Sequence, residues 1–212
     1  MIVLTRTYGI VHADALPSAL PGTPVLEKQT ESFTCGVHAL GTVYRAYGLD
    51  PESERIRWRL GVDTKAVFWK QDTTGALHPD MYMVLTQDYF EIGSLDMSDA
   101  ASWPSLLDHL ESGHLAVLLI ARRENGNLHW VVATEAVGER VRVYDSLFEE
   151  PYLEDEGFGS EHVVSAMLVR PTADRAQAMS SFAAHREGSS VLLAAGKRIR
   201  ALVADTDATP GG

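Results

Sequence analysis

Cys35 is the only cysteine in the chain, so no disulfide can form within it, and its neighbours read Gln29-Thr-Glu-Ser-Phe-Thr-Cys35-Gly36-Val-His-Ala-Leu40. Val37, Leu40, Val43, Tyr44 and Tyr47 follow at three- and four-residue steps, which predicts a helix with one face in a core. Cys35 falls at its start, where unpaired backbone N–H groups and the positive end of the dipole favour a thiolate, the nucleophilic form of cysteine. A lone cysteine is more often a small buried hydrophobe. Nucleophilic chemistry requires a base, and the base requires a group to orient it. Asn127-Leu-His129-Trp-Val-Val-Ala133 reads as the start of a buried strand and Val141-Arg-Val-Tyr-Asp145-Ser146 as its hairpin partner. Gly138-Glu139-Arg140 supplies the turn, so the two strands run antiparallel. His129 opens the first strand and Asp145 closes the second, which brings imidazole and carboxylate to one end of the hairpin, the pairing by which an acid orients a catalytic histidine. His38, on the same helix as Cys35, is a rival base with no evident acidic orienter. One cysteine and scattered histidines make no ligand cluster, so neither a metal nor a cofactor is expected.

Together these residues resemble papain-like cysteine peptidases. Gln29 six residues before Cys35, the Cys-Gly-x-x-Ala-Leu helix start, the His-Trp-Val-Val strand and the Asp-Ser strand end are most similar to the bacteriocin-processing (double-glycine) peptidase family. Thr73-Thr74-Gly75-Ala-Leu and the helix expected through Met81, Val84 and Leu85 are similar to that family's middle region. The resemblance runs from Pro24 to Arg170 and implies an α+β, papain-like fold in which a helical lobe carrying the nucleophile packs on an antiparallel sheet. It implies Cys35 as nucleophile, His129 as general base and acid, Asp145 as the residue orienting His129, and a peptide or protein as substrate. The role of Gln29 as an oxyanion-hole donor comes from the resemblance alone. Thr34 stands where the family usually has an acidic residue, and the chain reads as a stand-alone peptidase without the membrane-spanning, ATP-driven exporter of the best-known members. Two alternatives remain open: transfer of the acyl group to an amine or thiol, as in phytochelatin synthase-like relatives, and a non-catalytic fold that holds a peptide.

The remaining elements must position these groups. A chain of 212 residues, 45% hydrophobic and 22% charged, suits one globular core. It divides into an N-terminal extension at 1–23, the peptidase domain at 24–170, and a helical extension with a flexible tail at 171–212. Residues 51–60 read as a short helix with Ile56 and Leu60 inward and a charged outer face; His78-Pro79 reads as a helix entry and Tyr89 to Ile92 as a strand. Leu106, Leu107 and Leu110 predict a helix from Ser102 to Ser112, stopped by Gly113. The unbroken apolar run His114 to Ala121 predicts a central strand covered on both faces. An antiparallel meander of 114–122, 128–136, 141–146 and 162–170 follows, and its meeting line with the helices is the expected cleft. Met1 to Tyr8 reads as a first strand, Pro17 to Pro24 as a loop, and Phe68 and Trp69 as aromatics packed beneath a loop more readily than lining a groove. Residues 173–205 read as a broken helix with Leu192, Ala195, Ile199, Leu202 and Val203 on one face, packed on the domain or forming a homo-oligomer or partner interface.

A formal net charge of −11 disfavours nucleic acid and anionic membrane as partners. No run approaches the roughly 18 apolar residues that span a bilayer. The first residues lack the basic flank and apolar block of a secretory signal, and a single free cysteine suits a reducing cytoplasm.

Overall fold

The computed structural model describes residues 24–31, 33–49, 51–62, 76 and 78–172. The strand expected at 1–8, the aromatics Phe68 and Trp69, the segment Thr73 to Gly75 and the helix expected at 173–205 lie outside these residues.

Helix α1 spans Cys35–Ala46, and Leu40, Val43 and Tyr44, spaced to share one face, are fully buried. It stops at Gly48, whose φ of 76° is a left-handed conformation that a Cβ would oppose. The Gly48 N–H donates to the Arg45 carbonyl (2.9 Å) and the Leu49 N–H to that of Tyr44 (2.9 Å), the paired bonds of a Schellman end. Helix α2, Ser53–Leu60, buries Ile56 and Leu60 as expected. Its outer face departs from expectation: Arg59 turns inward and pairs with Asp88, which also accepts the Tyr44 hydroxyl. Asp88 follows helix α3, His78–Gln87, and is fully buried; a buried carboxylate is tolerated only with a cation or several donors at hand. Arg59 reaches it from the neighbouring helix and also donates to Gln87 Oε1 (3.1 Å).

Strand β1, Phe90–Leu95, and helix α4, Ser102–Glu111, lead to β2, Leu115–Ala121, every residue of which is buried. Strand β3, Leu128–Val137, and strand β4, Arg140–Tyr144, form the expected hairpin, closed by Gly138 at φ 63°. Beyond it the meander ends differently from expectation. A three-residue strand β5, Tyr152–Glu154, lies beside β4, and helix α5, Glu156–His162, returns the chain to β6, Val163–Pro171. The sheet order is β1-β6-β2-β3-β4-β5, with every pairing antiparallel. β6 therefore inserts between β1 and β2, with Ala166 opposite Leu118 and Val169 opposite Ile92. Such an apolar strand is hydrogen-bonded on both edges and covered on both faces, and its composition does not say which neighbours it takes.

The pleat sends alternate side chains to two cores. Val117, Leu119, Trp130, Val132 and Met167 face α1 to α3, whereas Leu118, Ile120, Val131, Ala133 and Val143 face Trp103, Leu106 and Leu110 of α4 and Phe158 of α5. Helices thus cover both faces of the sheet, and α1 meets it along β3, the strand that carries His129. No helix among the described residues is long and apolar enough to cross a membrane.

Candidate active site

Cys35 is the first residue of α1 and is 6% exposed. A Cβ at Gly36 would overlap the Ala76 side chain and lie 3.3 Å from Trp130 Cδ1. Trp130 in turn donates its indole N–H to the Ala76 carbonyl (2.9 Å). The residue after His129 therefore ties residue 76 against the start of α1, and glycine after Cys35 is what allows so close an approach.

His129 is the second residue of β3, and Asp145 directly follows the last residue of β4. Both are 3% exposed. The hairpin register brings them together: His129 Nε2 lies 2.6 Å from Asp145 Oδ1. The Cys35 side chain also acts on the ring, raising its pKa. Asp145 is held in place in turn, Oδ1 accepting the Leu147 N–H (2.9 Å) and Oδ2 the Tyr152 hydroxyl (3.2 Å). Burial first, and the Asp145 charge second, raise the Tyr152 pKa, so this phenol remains a donor.

Burial alone would push the His129 pKa down, but the hydrogen bonds and charges of Asp145 and Cys35 outweigh it and carry it to about 9. Carboxylate and imidazolium thus stabilise one another in a site of low dielectric. His38, the rival base, has no acidic group hydrogen-bonded to its Nδ1. The nearest carboxylate oxygen given for it, Glu27 Oε2, is 3.9 Å away, and burial holds its pKa below the usual value.

Gln29 lies against the turn that follows Asp145. Its backbone N–H donates to the Ser146 carbonyl (2.8 Å), its Nε2 donates to the Glu31 carbonyl (3.1 Å), and its Oε1 accepts the Ser146 hydroxyl (2.6 Å). Glu31 is itself clamped, its carboxylate accepting both Arg57 terminal nitrogens (2.8 and 3.0 Å), and the hydrogen bond from Arg57 lowers its pKa. Sequence reasoning missed Tyr152, Ser146 and Arg57 as partners of the site. Tyr152 sits in a strand too short to show alternation, and Arg57 in a helix whose charges all look solvated. Ser146 was in view, as the residue after Asp145, but nothing in sequence spacing links it to Gln29.

A cavity of about 260 Å³ adjoins Asp145, lined by Ile120, Phe148, Tyr152 and Phe158 among others. A larger one, of about 720 Å³, lies between α4, the β3–β4 turn and α5. None of Gln29, Cys35, His129 and Asp145 lines it, so side-chain chemistry rather than cavity size locates the site. Among the described residues no cluster of His, Cys, Asp and Glu could hold a metal.

No protein-family model matches the chain. Solved structures that share its fold include two peptidase domains. The peptidase domain of Streptococcus ComA, a bi-functional ABC transporter involved in quorum sensing, is 17% identical at a TM-score of 0.52, the match covering 71% of this chain and 100% of that one. A double-glycine motif protease from an AMS/PCAT transporter, solved with its leader peptide, is 14% identical at a TM-score of 0.51, the match covering 74% of this chain and 97% of that one. The α+β architecture is thus the papain-like fold of double-glycine peptidase domains, as the sequence resemblance implied. A glutamine–tRNA ligase from Polynucleobacter necessarius is 38% identical over 71 residues, 30% of this chain. The chain spans only 12% of the length of that ligase.

Proposed function

We propose that the protein is a cysteine peptidase that cleaves a peptide bond through a thioester on Cys35. The observation that carries this reading is the imidazole of His129, hydrogen-bonded to a buried carboxylate and raised in pKa by that carboxylate and by the only cysteine. In the reaction, Cys35 Sγ passes its proton to His129 and attacks the carbonyl carbon, and the carbonyl π pair moves onto oxygen. The Cys35 backbone N–H and a Gln29 Nε2 hydrogen stabilise that oxyanion. The C–N bond breaks as His129 passes its proton to the departing amine, a transfer suited to a group still protonated at neutral pH. Water, deprotonated by His129, then releases the acid and regenerates the thiol. Asp145 holds the ring in one tautomer and orientation throughout. The substrate class is a peptide, a reading supported by the leader peptide bound to one structural neighbour. A nucleophilic thiol that must stay reduced supports a reducing compartment such as the cytoplasm.

A library of peptide aminocoumarin amides varied before the scissile bond supplies the test. Cys35→Ala should abolish reporter release while leaving the melting temperature near wild type, and iodoacetamide should alkylate Cys35 and inactivate the protein in parallel. A cysteine that resists alkylation, or a Cys35→Ala variant as active as wild type, would show a structural residue and end the peptidase reading. Adding glycine to the assay separates hydrolysis from acyl transfer, because transfer yields a glycyl product of defined mass.

A further inference from the structure

We propose that the cavity beside Asp145 is a specificity subsite that receives a basic side chain, arginine above lysine, from the part of the substrate that follows the scissile bond. The inference rests on the reading of Cys35, His129 and Asp145 as the machinery of a peptidase. In that reading His129 hands its proton to the departing amine, so the substrate chain beyond the broken bond runs past His129 and the carboxylate that holds it. Asp145 lines the cavity of about 260 Å³, whose walls include the rings of Phe148, Tyr152 and Phe158. Such a space suits one side chain, being smaller than the roughly 300–1,000 Å³ usual for whole small-molecule ligands. The Tyr152 hydroxyl donates to Asp145 Oδ2 (3.2 Å), and its ring meets that of Phe148 edge-on, with centroids 5.3 Å apart. One residue is thus both a partner of the catalytic carboxylate and a wall of the cavity.

The walls are built for a cation. Aromatic faces attract guanidinium and ammonium groups, and the carboxylates of Glu124, Glu150 and Glu154 share the lining with them. Arg122 pairs with Glu124 (3.3 Å), Arg123 with Glu154 (3.0 Å) and His129 with Asp145. Glu150 is exposed and has no ion pair among the described residues, so the cavity is one positive charge short. The chain itself shows what fits there. The Arg123 guanidinium lies 5.6 Å from the centre of the Phe158 ring while its Nη2 donates to Glu154 Oε2. That occupant is loosely held: Arg123 belongs to the turn between β2 and β3, and its side chain is 58% exposed. The Glu154 side chain is only 14% exposed, and burial raises its pKa despite the neighbouring arginine. An ion pair with an exposed member contributes little. An incoming guanidinium therefore displaces Arg123 at small cost, stacks on the same ring, and reaches Glu150 as well as Glu154.

Internally quenched peptides supply the test. The best-cleaved library sequence is extended by four residues after the scissile bond, and each of those positions carries in turn arginine, lysine, citrulline or glutamate. Citrulline keeps the shape of arginine without its charge. The readout is the ratio of kcat/KM for an arginine peptide to that for its citrulline counterpart, in which a general effect of a mutation on folding or on the chemistry cancels. At one position arginine should be favoured about tenfold, the scale of a charge-assisted hydrogen bond in a part-buried site, with lysine intermediate and glutamate cleaved slowest. Glu154→Gln should bring that ratio below about threefold. Arg123→Ala, which vacates the cavity, should raise it about twofold, and Glu150→Gln, at an exposed position that tolerates change, should lower it about twofold, as expected for exposed charges. The last two variants decide the matter should Glu154→Gln fail to fold. A ratio near one at all four positions, or a preference for arginine that neither Glu154→Gln nor Glu150→Gln diminishes, overturns the inference and leaves the peptidase reading standing. A ratio that falls in Arg123→Ala makes Arg123 itself the proper occupant and overturns it too. A wild-type protein that cleaves no peptide of any composition overturns both readings together.

Discussion

At the scale of single residues, the site depends on how far His129 is held in its charged form. Its pKa of about 9 reflects Asp145 and Cys35 prevailing over burial, and that figure lies above the ordinary histidine value of about 6.5. A group whose pKa rises on folding contributes stability that is fully present below its unfolded pKa and is lost as pH climbs through its folded one. The protein should therefore lose stability between about pH 6.5 and 9 through this group, by the linkage of proton binding to folding. Asp145→Asn removes one of the two interactions that raise the pKa and should flatten this limb. Melting temperatures across that range, with the ring protons of His129 followed by NMR, check it; a wild-type ring titrating near the ordinary value would contradict it. Gln29→Ala should slow turnover by about a hundredfold or more, a loss measured as kcat on a cleaved peptide. A drop of only a few fold would remove Gln29 from the oxyanion hole.

Among the elements, the start of α1 and the join between α2 and α3 are the most constrained. Gly36→Ala would drive a methyl group into Ala76 and against Trp130; overpacking of this kind costs about 1–3 kcal/mol. Because α1 carries Cys35 and β3 carries His129, the shift should also separate sulfur from imidazole. The expected outcome is a lowered urea midpoint together with slower Cys35 alkylation. Arg59 and Asp88 form a buried ion pair between α2 and the end of α3. Arg59→Met would strand the carboxylate with the Tyr44 hydroxyl and its lesser partners, and removing one member of a buried pair costs about 3–5 kcal/mol. Urea denaturation reads this directly, and an unchanged midpoint would mean that Asp88 finds a replacement donor at little cost.

For the molecule as a whole, the sheet is the shared wall of two cores, one against α1 to α3 and the other against α4 and α5. Leu118→Ala opens a cavity in the second core, where Leu118 is fully buried, at a cost of about 2–5 kcal/mol. Because Val117 and Leu119 of the same strand face the first core, both cores should melt together, and NMR signals from Trp103 and Trp130 should share one lowered urea midpoint. Separate transitions would mean that the two layers fold independently. The chain's own chemistry determined the helix starting at Cys35, the hairpin that joins His129 to Asp145, and the buried run of β2, because each is encoded by contacts near in sequence or by a strong apolar period. Gln29 came into view only through family resemblance, since a glutamine in a loop carries no periodic signal. The position of β6 between β1 and β2, the inward turn of Arg59 and the hydroxyl of Ser146 on Gln29 were decided by tertiary structure alone. Each depends on which distant surface an edge, a charge or a donor meets, and a strand's free edges and a side chain's hydrogen-bond capacity are the same whatever partner the fold supplies.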